Sequence, residues 1–210
     1  MKKIVKDPSK EKRILQASVT LFSEAGYQAT STDTIAQTAQ VSKGLLFHYF
    51  ENKAGLYLAT YHYAVAFFYQ LLEPTIWTEA NDLIDMVVRA TKYKLSLQLK
   101  YPQEFRFLTQ VYGELEHLPT QLKATLANDL DQQFKRNLTL VTPVIDRLPL
   151  KAGVTKSEVN ELLLDVLNAE SARIQKELMT HPEWQTIEEM NPLIEKMIRK
   201  LQLLEHGFMA

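Results

Sequence analysis

The stretch TDTIAQTAQVSKGLLFHYFENK, residues 32–53, decides the fold. At helical period it divides in two. Ile35, Ala36 and Ala39 fall at i, i+1 and i+4, a narrow apolar stripe on a helix of about two turns. Val41 follows in a tight connection, and a second short helix begins at Ser42, with Leu46 and Phe50 four residues apart. Ser42 is a good N-cap, because its hydroxyl can accept an orphan backbone N–H of the first turn. Two short helices joined by a tight turn, with small residues where they cross, form the pattern of a helix-turn-helix. Neither helix is stable alone, since isolated helices below about 12–15 residues are marginal in water. A third helix must cover both stripes.

The other face of the second helix carries the chemistry. Lys43, Gly44, Leu45, Phe47, His48 and Tyr49 are not needed to fill a small core. An ammonium reaches phosphate, Tyr and His donate hydrogen bonds to phosphate or base edges, and glycine lets the helix backbone approach a sugar-phosphate chain. A purely structural helix pair within a larger helical protein is the alternative reading of the same face.

Upstream, Ile14, Ala17, Leu21, Phe22 and Ala25 form a stripe on a helix beginning at Ser9. Gly26 sits where a left-handed C-cap belongs. This helix is the expected cover. Residues 1–8 read as a short basic arm, compatible both with a solvated terminus and with a phosphate contact.

The ordered string Ala25-Gly26-Tyr27, Ala29-Thr30-Ser31, Ile35-Ala36, Ala39, Val41-Ser42-Lys43-Gly44, Leu46, His48-Tyr49-Phe50, Asn52-Lys53 and Leu56 resembles the tetracycline-repressor-type (TetR/AcrR) family of bacterial transcription regulators. The match covers about the first 56 residues in fixed register. The resemblance implies an all-α fold: a three-helix DNA-binding domain over residues 1–52, then a helical ligand-binding and dimerisation domain over residues 53–210. It also implies a DNA-backbone contact for a hydroxyl at Thr32. Four positions depart from the family pattern. Gln40 replaces a usual turn glycine, so the turn is expected to be strained. Leu45 replaces a commonly small polar residue; pointing into the major groove it can read only shape or a thymine methyl, the alternative being that it folds back onto the domain core. Phe47 replaces a common tyrosine and cannot donate to phosphate. Asp33, where a basic or polar residue is common, is read as favouring the helix N-terminus dipole. Lys43 is the expected base or phosphate contact, and Lys53 the phosphate contact at the next helix start.

Composition agrees. The chain has 210 residues, 46 % hydrophobic and 23 % charged, ordinary for a globular protein. It has no cysteine, which excludes disulfides and cysteine metal sites. The N-terminus lacks a secretory apolar run, and no membrane-length apolar run follows, so a cytoplasmic location without membrane association is expected. Residues 1–53 carry eight Lys or Arg against five Asp or Glu in a chain of net charge −1, a basic head of +3 on an acidic body of −4.

The body reads as helices. One runs from Asn52-Lys53 to about Leu72, apolar nearly all round, and the resemblance makes it the joint that carries a ligand signal to the head. A loop leads to a helix over 82–100, Pro102 opens a short one over 103–112, and another runs from Pro119 to about Val141 before Pro143. Aromatic and polar groups along these helices, among them Tyr61, His62, Tyr93, Phe105 and Tyr112, are candidates to line a small-molecule site. After the break at Gly153, a helix capped by Thr155 and Glu158 runs to Thr180 and stops at His181-Pro182; a last helix opens at Asn191-Pro192. Their apolar positions include Leu163, Val166, Leu167 and Ile174, then Leu193, Met197, Leu201 and Leu204. The pair resembles the dimerisation helices of the family, packing across a two-fold axis; the alternative is that it simply closes the monomer.

Rival classes fare worse. The five histidines show no i,i+4 pair and no HExxH, and neither a glycine-rich phosphate loop nor a nucleophilic serine elbow is present. No catalytic residue, metal ligand or cofactor is therefore expected. A non-specific architectural DNA binder would want a larger basic excess. The reading is a homodimeric, ligand-released repressor of a palindromic double-stranded DNA operator.

Overall fold

The structure is a computed structural model that describes residues 6–181 and 183–208. Among the described residues ten α-helices follow in order: α1 Pro8–Ala29, α2 Thr32–Thr38, α3 Lys43–Phe50, α4 Lys53–Gln70, α5 Thr75–Thr78, α6 Leu83–Lys100, α7 Pro102–Glu114, α8 Thr120–Ile145, α9 Lys156–Thr180 and α10 Asn191–Phe208. No strand occurs among the described residues, so the all-α expectation holds.

Local chemistry explains most boundaries. Asp7 caps α1 by accepting from Ser9 N and Lys10 N, so the helix starts at Pro8 rather than at Ser9. The basic arm expected over residues 1–8 lies, up to position 5, outside the described residues. Gly26, at φ 73° and ψ 179°, breaks the helical path of α1. Only glycine adopts that region readily. Thr30 closes the end, its hydroxyl donating to Gly26 O at 2.7 Å and Leu21 O at 3.1 Å. Thr155 and Glu158 form the full capping box expected at α9. That helix ends at Thr180; Pro182, the expected stop, lies outside the described residues. A larger difference is at α8, which runs through Pro143 to Ile145. A proline removes one N–H donor but does not prevent the chain continuing, and Asp146 N still donates to Thr142 O at 2.9 Å.

The chain divides into two compact units, Met1–Leu72 with Tyr101–Gln132, and Glu73–Lys100 with Gln133–Ala210. In the first, α1 packs on α2, α4 and α7, and α3 on α2 and α4. Ile14, Phe22, Ile35, Leu46, Leu56, Tyr57, Phe107 and Leu126 are fully buried there. The expected stripe of α1 buries Ile14, Ala17 and Phe22, with Leu21 half-buried, but Ala25 is exposed because the helix breaks beside it. Tyr57 centres an aromatic cluster, edge-on to Phe22 at 4.8 Å, Tyr27 at 5.2 Å and Phe107 at 5.4 Å. In the second unit, α6, α9 and α10 enclose a core that includes Leu83, Met86, Leu95, Leu163, Ile194 and Met197.

Candidate nucleic-acid interface

The site rests on α2 and α3. Ser31 caps α2, accepting from Asp33 N at 3.2 Å, and Ser42 caps α3, accepting from Leu45 N at 3.2 Å. Between them Val41 N donates to Ala36 O and Gln40 N to Gln37 O, each at 3.0 Å. Gln40 carries φ 54°, the strained turn expected where a side chain stands in place of glycine. The far end of α3 is held closely. Gly55, in the first turn of α4, lies so near the carbonyl of Phe50 that a Cβ would come within 2.2 Å of its oxygen. Glycine there fixes how α4 starts beneath α3, and the sequence reading passed over it.

Ile35, Ala36, Ala39, Leu46 and Phe50 are buried, so both stripes face inward as read. Outward stand Ser42, Lys43, Gly44 and His48, all exposed, with Thr32, Leu45 and Phe47 half-buried at their margin. Tyr49 departs from the reading. It is 6 % exposed, and its hydroxyl accepts the backbone N–H of Asp7 at 2.7 Å. The ring therefore ties the start of α1 to α3 instead of facing outward. Lys6 sits 5.2 Å from the Phe50 ring centroid and 5.6 Å from that of Tyr49, adding a cation–π contact to the same junction.

Lys43 and Lys53 also have intramolecular partners. Lys43 Nζ lies 2.8 Å from Asp33 Oδ2, so Asp33, although in the first turn of α2 as the dipole reading required, also reaches across to α3. Lys53 Nζ donates to Gln28 O at 3.1 Å and lies 4.8 Å from the Tyr27 ring centroid. Desolvation lowers the Lys53 pKa from its ordinary value, opposed by the charge of Glu114.

Glu114, on α7, was not singled out in the sequence. Its carboxylate accepts Tyr27 N–H at 3.0 and 3.2 Å and the Tyr57 hydroxyl, holding the end of α1 and the start of α4 on one group. The signal would have been a carboxylate at the C-terminal end of a helix, where the dipole disfavours it.

The five candidate ligand residues are dispersed. Tyr61 is buried, His62 is exposed with Nε2 2.7 Å from Asp129 Oδ2, Phe105 is half-buried edge-on to Phe68 at 6.2 Å, and Tyr112 is 59 % exposed. All four belong to the first unit, whereas Tyr93 packs edge-on to Trp77 at 6.1 Å in the second. A cavity of about 30 Å³ in the second unit lies between α6, α9 and α10, and none of the five lines it. Lys94, Gln98 and Glu170 make its polar side, Leu95, Ile174 and Met197 its apolar side. That volume holds about one water. Glu170 is buried and neutralised by Lys200 Nζ at 2.6 Å and Arg173 Nη1 at 2.5 Å.

Of the residues read as a dimer face, Leu163, Ile174, Met197 and Leu201 are buried in the second unit's own core, so they are not exposed in the single chain. Val166, Leu167, Leu193 and Leu204 are half-buried. Among the described residues the large apolar side chains that these helices leave exposed are Leu162, 41 %, and Leu203, 67 %. Periodicity marks every apolar position of a helix alike and does not say which of two stripes meets the monomer core.

Among the described residues no group of three or more His, Asp or Glu is arranged to hold a metal. No helix of the described chain is long and apolar enough to cross a membrane.

Residues 14–60 match the bacterial regulatory proteins of the tetR family. The negative transcriptional regulator IcaR of the biofilm operon icaADBC in Staphylococcus aureus is 25 % identical over 160 residues, spanning 72 % of this chain and 77 % of its own. A TetR-like regulator from Rhodococcus has the same fold at a TM-score of 0.63 and 18 % identity, over 95 % of this chain and 98 % of its own. The regulator FadR from Bacillus subtilis, in complex with stearoyl-CoA, matches at 0.66 and 18 % identity, over 89 % and 97 %.

Proposed function

We propose that the chain is a transcriptional regulator of the tetR family, whose model matches residues 14–60, and a cytoplasmic repressor that binds a palindromic double-stranded DNA operator as a homodimer and is released by a small molecule. The observation that carries this reading is the capped α3, which turns Ser42, Lys43, Gly44 and His48 outward while Leu46 and Phe50 anchor it. Thr32 and Leu45 border that face, and Phe47 adds an apolar edge. Tyr49 contributes by positioning α3. Lys53 reaches phosphate by leaving Gln28 O. The likeness to IcaR, a negative regulator, favours repression.

Two copies must set their α3 helices about 34–36 Å apart to enter successive major grooves. α9 and α10 supply the pairing face, with Leu162 and Leu203 at its centre and Val166, Leu167, Leu193 and Leu204 beside them. The effector enters the helical body; FadR, of the same fold, is known with an acyl-CoA. A coupling of about 1–3 kcal/mol between effector and operator suffices for release. This reading assigns the chain no catalysis.

Selection of genomic fragments by the purified protein at stated salt, followed by footprinting, tests the reading. The expected result is a palindrome with half-sites one turn apart. Weak salt-sensitive binding without an enriched site, in buffer and in cell extract alike, would instead leave a non-specific DNA binder. Sedimentation of a Leu203→Glu variant tests the pairing face: the dimer should give way to monomer with the helical content retained.

A further inference from the structure

The helix-turn-helix segment from Thr30 to Asn52 contains a single Lys or Arg, Lys43, against Asp33 and Glu51. A motif meant only to grip phosphate would not be so poor in cations. Its one cation is also committed: Lys43 Nζ lies 2.8 Å from Asp33 Oδ2 and 5.9 Å from the Phe47 ring centroid, so α2 and the side of α3 both orient it. The pair is not needed by the fold. Both side chains are more than half exposed, 51 % for Lys43 and 65 % for Asp33, and ion pairs so exposed contribute little to stability. Beside a polyanion Asp33 is unfavourable unless its carboxylate gains a partner there.

The chemistry of the pair fits one partner. In the major groove a G·C pair presents guanine N7 and O6, two adjacent acceptors, followed by the cytosine N4 amino donor. An ammonium beside a carboxylate is the complement of that row. An A·T pair places the adenine N6 donor between its acceptors, which sets a donor against the ammonium. We propose that Lys43 and Asp33 act as one unit that reads a single G·C base pair in each half-site, Lys43 Nζ donating to guanine N7 and O6 and Asp33 accepting from cytosine N4. Asp33 is then a specificity-determining residue that lowers affinity for DNA in general and raises discrimination. This rests on the operator-binding reading above.

The experiment compares the full-length protein with Asp33→Ala, Lys43→Ala and the double variant, by selection from randomised duplexes and by titration against selected and scrambled DNA over a salt series. Asp33→Ala should bind scrambled DNA more tightly, with a salt slope steeper by about one because Lys43 is freed to neutralise a phosphate. It should lose about tenfold of its G·C preference at one position per half-site. Lys43→Ala should lose preference at that same position, and the double variant should lose no more there than either single one. Unchanged urea midpoints in both single variants would confirm that the fold is not what moved. If Asp33→Ala keeps its preference at every position, or the two single variants lose preference at different base pairs, the inference is overturned while the regulator stands. A wild-type protein that selects no site overturns both.

Discussion

Replacing Gly26 by alanine should loosen the DNA-binding end more than any surface change there. Gly26 is buried with φ 73° and ψ 179°, a region essentially restricted to glycine, which costs another residue about 1–3 kcal/mol. An added Cβ would also lie 2.7 Å from the amide end of Gln110 and 2.8 Å from Glu114 Oε2. Both groups have work at this corner. With its amide turned so that both groups are satisfied, Gln110 donates to Ser23 O at 3.1 Å and accepts Gly26 N–H at 3.2 Å, and Glu114 accepts Tyr27 N–H. Pushing them away leaves backbone donors unpaired, about 1–3 kcal/mol for a buried group. Together the change should cost about 2–6 kcal/mol, a large part of the roughly 5–15 kcal/mol that a native protein has. Urea unfolding followed by far-UV circular dichroism measures it. In a chain of this size a loss of about 3 kcal/mol lowers Tm by roughly 6–12 °C. Trp77 and Trp184 both lie in the second unit, so their emission reports that unit while the dichroism reports the whole chain. A loss below about 1 kcal/mol would refute the claim that Gly26 and the α7 carboxylate hold the corner together.

Gly44 is the opposite case: a Cβ there meets nothing within 4 Å, so Gly44→Ala should leave the fold equal or more stable by up to about 1 kcal/mol while weakening operator binding, and an unchanged Kd would remove the close backbone approach from the reading. Burial first, and the hydrogen bond to Glu114 second, raise the pKa of the Tyr57 hydroxyl above its ordinary value. Above about pH 10 the unfolded chain releases this proton while the folded chain keeps it, so stability falls as pH rises. Urea midpoints from about pH 8 to pH 11 should decline less in Tyr57→Phe than in the wild type, and parallel declines would show that Tyr57 does not carry the effect. Leu45→Ala should abolish preference for thymine at one operator position with little change elsewhere, as read by binding to single-base operator variants; an unaltered preference profile would place Leu45 in the core instead.

The readable part of this chain is the part whose determinants are close in sequence. Ser31, Ser42 and Asn52 each cap a helix from within three residues, and Thr155 with Glu158 forms its box the same way. The 3.6-residue stripes place Ile35, Leu46 and Phe50 inside without any knowledge of what covers them. Tyr49 is buried rather than outward, and its hydroxyl accepts the N–H of Asp7, 42 residues earlier, a contact that no local pattern shows. The candidate ligand residues were chosen by type, and residue type does not distinguish an aromatic in a cavity from Phe107 in a closed cluster or Tyr112 on the surface.

By itself the sequence determined the helical class, the helix-turn-helix with its outward Lys43, Gly44 and His48, and the likeness of residues 14–60 to the tetR family, because helix periodicity, capping and the ordered motif are short-range properties written in neighbouring residues. Tertiary structure alone decided which carboxylate each cation meets, which apolar stripe of α9 and α10 faces the monomer core, and that Glu114 reaches Tyr27 across 87 positions. Those pairings depend on how helices far apart in the chain come to lie side by side, and no local pattern encodes the choice among partners of the same chemical type.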